Sequence, residues 1–307
     1  MPIGFGCLFY PPGYKLLVVC CKFSAYSKRM IIDGKQIAEE ILTELESSWK
    51  MKKTLHAIVV GKDPASLSFL KQKEKIAKRL EIAFELHAYP ERIREDDLRK
   101  EIAYIADKKA CGGLIIQLPL PKHLNAQYLL NSIPREVDID VLSERALGAF
   151  YTGRGKILPP SVSTLLAVLD RNLIHARGDD ASVAGWFIED KKIAVVGLGS
   201  LVGKPIGTWL LGKSSEIHYL DEGSNLSELK HMDIVIIGVG HAGLVKPSML
   251  KADALVVDFG YSAGRDGITG DFDTKDAPES LTYTPTPGGT GPILVAQLFK
   301  NFYALSS

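Results

Sequence analysis

The 307-residue chain has almost no net charge, +1 at neutral pH. That balance gives no electrostatic reason to expect nucleic acid or a membrane surface as a partner. Cysteine is sparse, and Cys7, Cys20, Cys21 and Cys111 do not have the spacing of a metal-ligand set. No metal is expected, and so few thiols fit a reduced, cytoplasmic setting. Long apolar runs are missing too. Leu16 to Cys21 is too short to cross a bilayer. The first charge, Lys15, comes too late for the basic start of a signal peptide. No internal repeat or low-complexity segment stands out. What remains, 46% apolar and 24% charged, is the composition of a soluble globular chain long enough for two domains.

Proline and glycine are concentrated in one place, Thr284-Pro285-Thr286-Pro287-Gly288-Gly289-Thr290-Gly291-Pro292. The prolines fix φ and the glycines open conformations closed to other residues, so this is neither a helix interior nor a central strand. Pro292 suits the first position of an apolar helix beginning Ile293 to Leu298. The stretch reads as a rigid loop whose backbone approaches something closely at a helix N-terminus.

The rest alternates. Residues Lys35 to Trp49 place Ile37, Ile41, Leu42 and Leu45 at helical spacing. Leu55 to Val60 is a strand, and Asp63-Pro64 opens a helix to about Leu80. Phe84 to Ala88, a helix over Asp96 to Lys108, and Gly113 to Ile116 follow, then a short helix over 123–131. Ser161 to Leu173 is a linking helix. A second series has strands at Lys192 to Val196, Glu216 to Leu220, Ile234 to Ile237 and Leu255 to Val257, with a helix over Val202 to Leu211. This alternation predicts an α/β chain of two doubly wound parallel-sheet domains, the second Rossmann-like. Ligands then lie beyond the carboxyl ends of the strands, where Gly61, Gln117 and Asp138 are expected.

After the strand ending at Val196 come Gly197-Leu198-Gly199-Ser200-Leu201-Val202-Gly203-Lys204-Pro205. G-x-G-x-x-x-G is one residue longer than the usual dinucleotide fingerprint, but strand, glycine turn and helix are in the right order. Gly197 and Gly199 would let a pyrophosphate approach a helix N-terminus. Asp221-Glu222, about twenty residues on, end the next strand. A carboxylate there accepts from a ribose hydroxyl and repels a phosphate; otherwise Asp221 is a solvated turn acid.

Four motifs, in order, resemble the methylenetetrahydrofolate dehydrogenase/cyclohydrolase family. They are Val60-Gly61-Lys62-Asp63-Pro64-Ala65-Ser66, Gln117-Leu118-Pro119-Leu120-Pro121, Val202-Gly203-Lys204-Pro205, and the proline–glycine loop, which is similar to the family's P-G-G-V-G-P. The resemblance runs from about Met30 to about Tyr303. Residues 1–29 precede it and read as a disordered extension or the product of an upstream start, dispensable for folding and activity.

The resemblance implies a folate-binding catalytic domain over 30–158, completed by 284–307, and an NAD(P)-binding domain over 159–283. It implies oxidation of 5,10-methylenetetrahydrofolate, then hydrolysis to 10-formyltetrahydrofolate, by a cytoplasmic homodimer. It assigns catalysis to Lys73, Gln117 and Asp138, the last as the acid that holds the pterin. Phe69, Leu118, Pro287, Gly288 and Gly289 join them in binding substrate. Gly197, Leu198, Gly199, Ser200, Val202, Gly203, Asp221, Gly238, Gly240 and Tyr261 are its cofactor residues. Without the resemblance, Lys73 among Lys71, Lys75 and Lys78 reads as one of a solvated helix face.

The chain departs from the family at several places. Phe69 stands for a tyrosine, and Leu198-Gly199 for the arginine and serine that hold the 2′-phosphate of NADP. NAD is therefore favoured, with Lys204 keeping NADP open. Val137-Asp138-Ile139 replaces V-D-G, and Pro160-Ser161-Val162-Ser163 replaces P-C-T-P. A dehydrogenase without hydrolase activity, a homologue that binds without catalysis, and a dehydrogenase of another substrate are the rival readings.

Overall fold

A computed structural model describes residues 31–48, 52–177, 188–264 and 267–307, with the side chains of 172–177 omitted. The N-terminal extension, with Cys7, Cys20 and Cys21, lies outside these residues.

The first lobe opens with α1 (Gly34–Glu46). The Asp33 carboxylate caps it, accepting from the N–H groups of Lys35 and Gln36. Strand β1 (Thr54–Val60) leads to α2 (Pro64–Arg79), capped as the sequence predicts by Asp63, which accepts from Ser66 N at 2.8 Å. Then come β2 (Ala83–Tyr89), α3 (Glu95–Ala106) and β3 (Cys111–Ile116). The sheet has the order β2-β1-β3, all parallel. β3 is buried along its length and β1 nearly so, whereas β2 is a half-exposed edge. This explains why the inner strands read as continuous apolar runs. Short helices α4 (Ala126–Leu130) and α5 (Glu144–Tyr151) precede α6 (Pro160–Arg177), which links the lobes.

The second lobe is built on β4 (Lys192–Val196), α7 (Gly203–Leu210), β5 (Glu216–Leu220), β6 (Ile234–Ile237) and β7 (Leu255–Asp258). A hairpin of β8 (Ser262–Gly264) and β9 (Gly267–Thr269) follows, then the two-residue β10 (Thr282–Tyr283). The sheet order is β10-β7-β6-β4-β5, again parallel.

The last helix, α8 (Thr290–Ser306), starts two residues before the expected Pro292. Proline in the first turn lacks only an N–H that has no helical partner there, so it does not mark the start uniquely. α8 packs against α1, α6 and β3. Its buried Phe299 and Phe302 share a core with Leu55, Ile115 and Ile139. Gly113 lets it lie flat on β3, since a Cβ there would be 2.8 Å from the Phe302 ring. The proline–glycine loop is held just as closely. Gly288 has φ of +100°, and a Cβ on Gly34 would run into the Gly289 carbonyl.

Candidate active site

Residue Gln117 follows β3, and its N–H donates to Ile58 O of β1 at 2.8 Å, so it sits at the carboxyl edge of the first sheet. Lys73 projects from the middle of α2. Its Nζ donates to Gln117 Oε1 at 3.1 Å, and Gln117 Nε2 donates to the Leu118 carbonyl at 2.8 Å. The glutamine is thereby locked with its acceptor facing the lysine. Desolvation holds the Lys73 ammonium below the ordinary lysine pKa, and nearby Asp140 offsets this in part. A solvated helix-face lysine would show neither feature.

Phe69 lies one turn before Lys73 on α2. Its ring meets that of Tyr261, which follows β7, with centroids 4.8 Å apart and planes tilted by 56°. This contact joins the two lobes beside the lysine. Leu118 contributes mainly backbone here, because its side chain packs against the core between the first sheet and α3.

The structure places Asp138 differently from the sequence reading. It pairs with Leu114 in a parallel bridge, two residues short of the carboxyl edge. It is 1% exposed, and its carboxylate accepts from Leu142 N at 3.1 Å and Ser143 N at 2.8 Å. Its acceptors are thus spent on its own loop. The chain runs on parallel to β3, so Asp140 reaches the level of the edge. Burial pushes the Asp140 carboxyl up to about 6, Lys73 pulls it down, and Asp138 adds to the rise. The next residue, Val141, has φ of +56°, a left-handed conformation unusual for a β-branched side chain. That is the conformation a glycine adopts freely, which suits Ile139-Asp140-Val141 to the place of the family's V-D-G. Sequence reasoning missed Asp140 because the glycine that fixes the register is absent.

The second lobe presents a crevice at the carboxyl ends of β4, β5 and β6. Gly197 has φ of +87°, and a Cβ on it would lie 2.7 Å from Gly238 O. A Cβ on Gly203 would strike the Gly197 carbonyl, so glycine sets the helix–strand approach there. Gly199 faces open space, Ser200 is exposed, and Val202 stands at the N-cap of α7 without a side-chain cap. An uncapped helix start and an open glycine fit a pyrophosphate. Beside them is a cavity of about 490 Å³ lined by Gly197, Asp221, Glu222, Gly223, Val239 and His241, among others. Among the described residues neither lysine nor arginine lines it, and Lys204 is exposed outside it. Leu198 packs against the lobe's core.

Two buried acids that the sequence did not single out shape this side of the cleft. Asp271 accepts from Val239 N at 2.7 Å and Gly240 N at 2.8 Å, so the Gly240 N–H is committed within the protein. Asp258, at the end of β7, accepts from Gly260 N at 2.7 Å and Phe272 N at 3.1 Å. Burial pushes its carboxyl up to about 6. Thr284 Oγ1 accepts from Asp258 N, and Thr290 Oγ1 donates to Asp258 O. The proline–glycine loop is therefore tied to the strand end that carries Tyr261.

Residues 32–140 match the family "Tetrahydrofolate dehydrogenase/cyclohydrolase, catalytic domain", and residues 181–307 match "Tetrahydrofolate dehydrogenase/cyclohydrolase, NAD(P)-binding domain". The chain is 31% identical over 281 residues to the "Bifunctional protein FolD" of Nautilia profundicola, covering 88% of this chain and 95% of that one. Among solved structures it is similar to the bifunctional methylenetetrahydrofolate dehydrogenase/cyclohydrolase of Campylobacter jejuni, with TM-score 0.81, 26% identity, and coverage of 91% and 98% of the two chains. It is also similar to the Trypanosoma brucei dehydrogenase–cyclohydrolase complexed with NADP and an inhibitor, with TM-score 0.79, 25% identity, and coverage of 91% and 97%.

Proposed function

The chain belongs to the tetrahydrofolate dehydrogenase/cyclohydrolase family, and from that premise we propose that it oxidises 5,10-methylenetetrahydrofolate with NAD and hydrolyses the methenyl product to 10-formyltetrahydrofolate. The observation that carries this reading is the Lys73–Gln117 hydrogen bond at the cleft edge, where the charge of Asp140 also acts on the lysine.

Asp140 is the acid proposed to hold the amino-pyrimidine edge of the pterin, in place of Asp138. Its carboxylate offers two acceptors to adjacent N–H donors. Phe69, Tyr261 and the Pro287-Gly288-Gly289 backbone frame the substrate and fix the geometry that hydride transfer needs. Gly197, Gly199, Ser200 and the N-terminus of α7 hold the dinucleotide, with Asp221 on its ribose. A nicotinamide dinucleotide bound there supplies the hydride acceptor. Oxidation leaves a cationic methenyl bridge. Water adds to its carbon and gives up a proton, and Lys73, its pKa lowered by burial, takes that proton and returns it to the departing ring nitrogen.

The preference for NAD rests on the lining of the proposed ribose cavity, which is acidic and, among the described residues, free of lysine and arginine. A boundary near Leu158, with α8 returning to the first lobe, is the proposed domain division; the contacts of α8 with α1 and β3 support it. A cytoplasmic setting rests on the sparse cysteines and a homodimer on family resemblance alone, and light scattering of the purified protein tests its mass. The activity is tested by spectrophotometric assay of the full chain with methylenetetrahydrofolate and each of NAD and NADP. Reduction of neither cofactor would refute the reading.

A further inference from the structure

The far end of the first sheet carries a polar cluster that folate chemistry does not use. His56 lies on β1, paired in register with Glu85 of β2, and His87 is two residues further along β2. Period-two alternation puts all three side chains on one face. His56 Nδ1 is 3.1 Å from His87 Nε2 and 3.3 Å from Glu85 Oε2, and His87 Nε2 is 3.7 Å from that same oxygen. His56 is 1% exposed, and its other nitrogen, Nε2, has no partner. The ring's polar contacts among the described residues therefore all point at this triangle.

We propose that His56, Glu85 and His87 bind one divalent transition-metal ion of the zinc type. The triangle has the right size. A point equidistant from its three corners lies about 2 Å from each, which is the length of Zn–N and Zn–O bonds. Two imidazoles and one carboxylate suit zinc, cobalt or nickel, whereas magnesium and calcium prefer all-oxygen shells. Glu85 is half exposed, so the fourth position opens to water, the arrangement of a three-ligand zinc site.

The site is separate from the catalytic one. His56 precedes the carboxyl end of β1 by four residues, about 13 Å of strand. An ion there would clip the exposed edge strand β2 to the buried β1. Lys108 stands nearby, its Nζ 3.7 Å from Glu85 Oε2, and its ammonium opposes a second cation.

The test uses the full chain, stripped with chelator and titrated with Co²⁺ and Zn²⁺. One Co²⁺ per chain should bind, with visible ligand-field bands of a low-coordinate nitrogen–oxygen site. Zn²⁺ should displace it and raise the melting temperature, while Mg²⁺ should do neither. His87→Gln and Glu85→Gln change half-buried or exposed side chains, and circular dichroism verifies their folding. Each should weaken Co²⁺ binding at least tenfold, and Lys108→Gln should tighten it. The proposal is overturned if the parent binds no Co²⁺, if either ligand variant keeps the parental affinity, or if Lys108→Gln weakens binding.

Discussion

The rings of Phe69 and Tyr261 touch across the cleft, centroids 4.8 Å apart, one from α2 of the first lobe and the other from the loop after β7. Phe69 thus does two things: it lies one helical turn from Lys73, and it bridges to the lobe that holds the dinucleotide. Phenylalanine keeps the apolar contact, but it has no hydroxyl to orient Lys73 or the attacking water. Phe69→Tyr should raise the ratio of cyclohydrolase to dehydrogenase activity. Phe69→Ala should lower both, because the inter-lobe contact is lost along with the substrate wall. Parallel assays of the two half-reactions, with an unchanged ratio in Phe69→Tyr, would dismiss this role.

Lys73→Met keeps the stem and removes the proton carrier. The expected result is loss of methenyltetrahydrofolate hydrolysis, by roughly 10²–10⁴-fold for a positioned acid–base group, with folate binding retained. Gln117→Leu should weaken the same step by releasing the ammonium from its 3.1 Å hydrogen bond. Hydrolysis by Lys73→Met at the parental rate, above background, would return Lys73 to the helix surface.

The two acids of the Asp138-Ile139-Asp140 turn should separate experimentally. Asp140→Asn should raise the folate KM while leaving stability near the parent's. Asp138→Ala should destabilise the fold, because the buried oxygen accepting from the Leu142 and Ser143 N–H groups is lost; about 1–3 kcal/mol is the cost of leaving such groups unsatisfied. With the Asp140 carboxyl near 6, kcat/KM for folate should fall as pH drops below about 6, and Asp140→Asn should flatten that limb. Chemical denaturation alongside pH-dependent kinetics distinguishes the two residues. The opposite pattern would restore Asp138 to the pterin.

The raised Asp258 pKa has a stability consequence with a definite sign. A carboxyl at about 6 in the folded state, against about 3.9 unfolded, binds its proton more tightly when folded. Its contribution is fully present below about pH 4 and is lost as pH rises to about 6. Urea midpoints measured across this window should show a smaller fall with rising pH, or a steeper rise, in Asp258→Asn than in the parent. Identical pH slopes in the two proteins would refute it.

Cofactor choice should favour NAD. Loss of a charge-assisted phosphate contact is worth roughly 1.5–3 kcal/mol, or about one to two decades in affinity. Asp221→Ser should narrow the NAD-to-NADP ratio of kcat/KM by removing a carboxylate that lines the cavity beside the glycine turn. A parental preference for NADP would mean that another cation has replaced the family arginine.

Local sequence signals settled much of this protein. The Asp63 cap before Pro64, the apolar β1 and β3, the glycine turn after β4 and the proline–glycine loop are each written in neighbouring residues, because caps, strand burial and positive φ are local requirements. Lys73 and Gln117 were legible as motif residues, but only the fold brings them within a hydrogen bond across 44 positions of chain. Tertiary structure alone put Asp140, and not Asp138, at the level of the sheet edge. Without a glycine to mark the turn, the bridge to Leu114 and the backbone at Val141 set the register. The same holds for His56, Glu85 and His87. Nothing in their spacing announces a cluster, and it is the pairing of β1 with β2 that places the three side chains side by side.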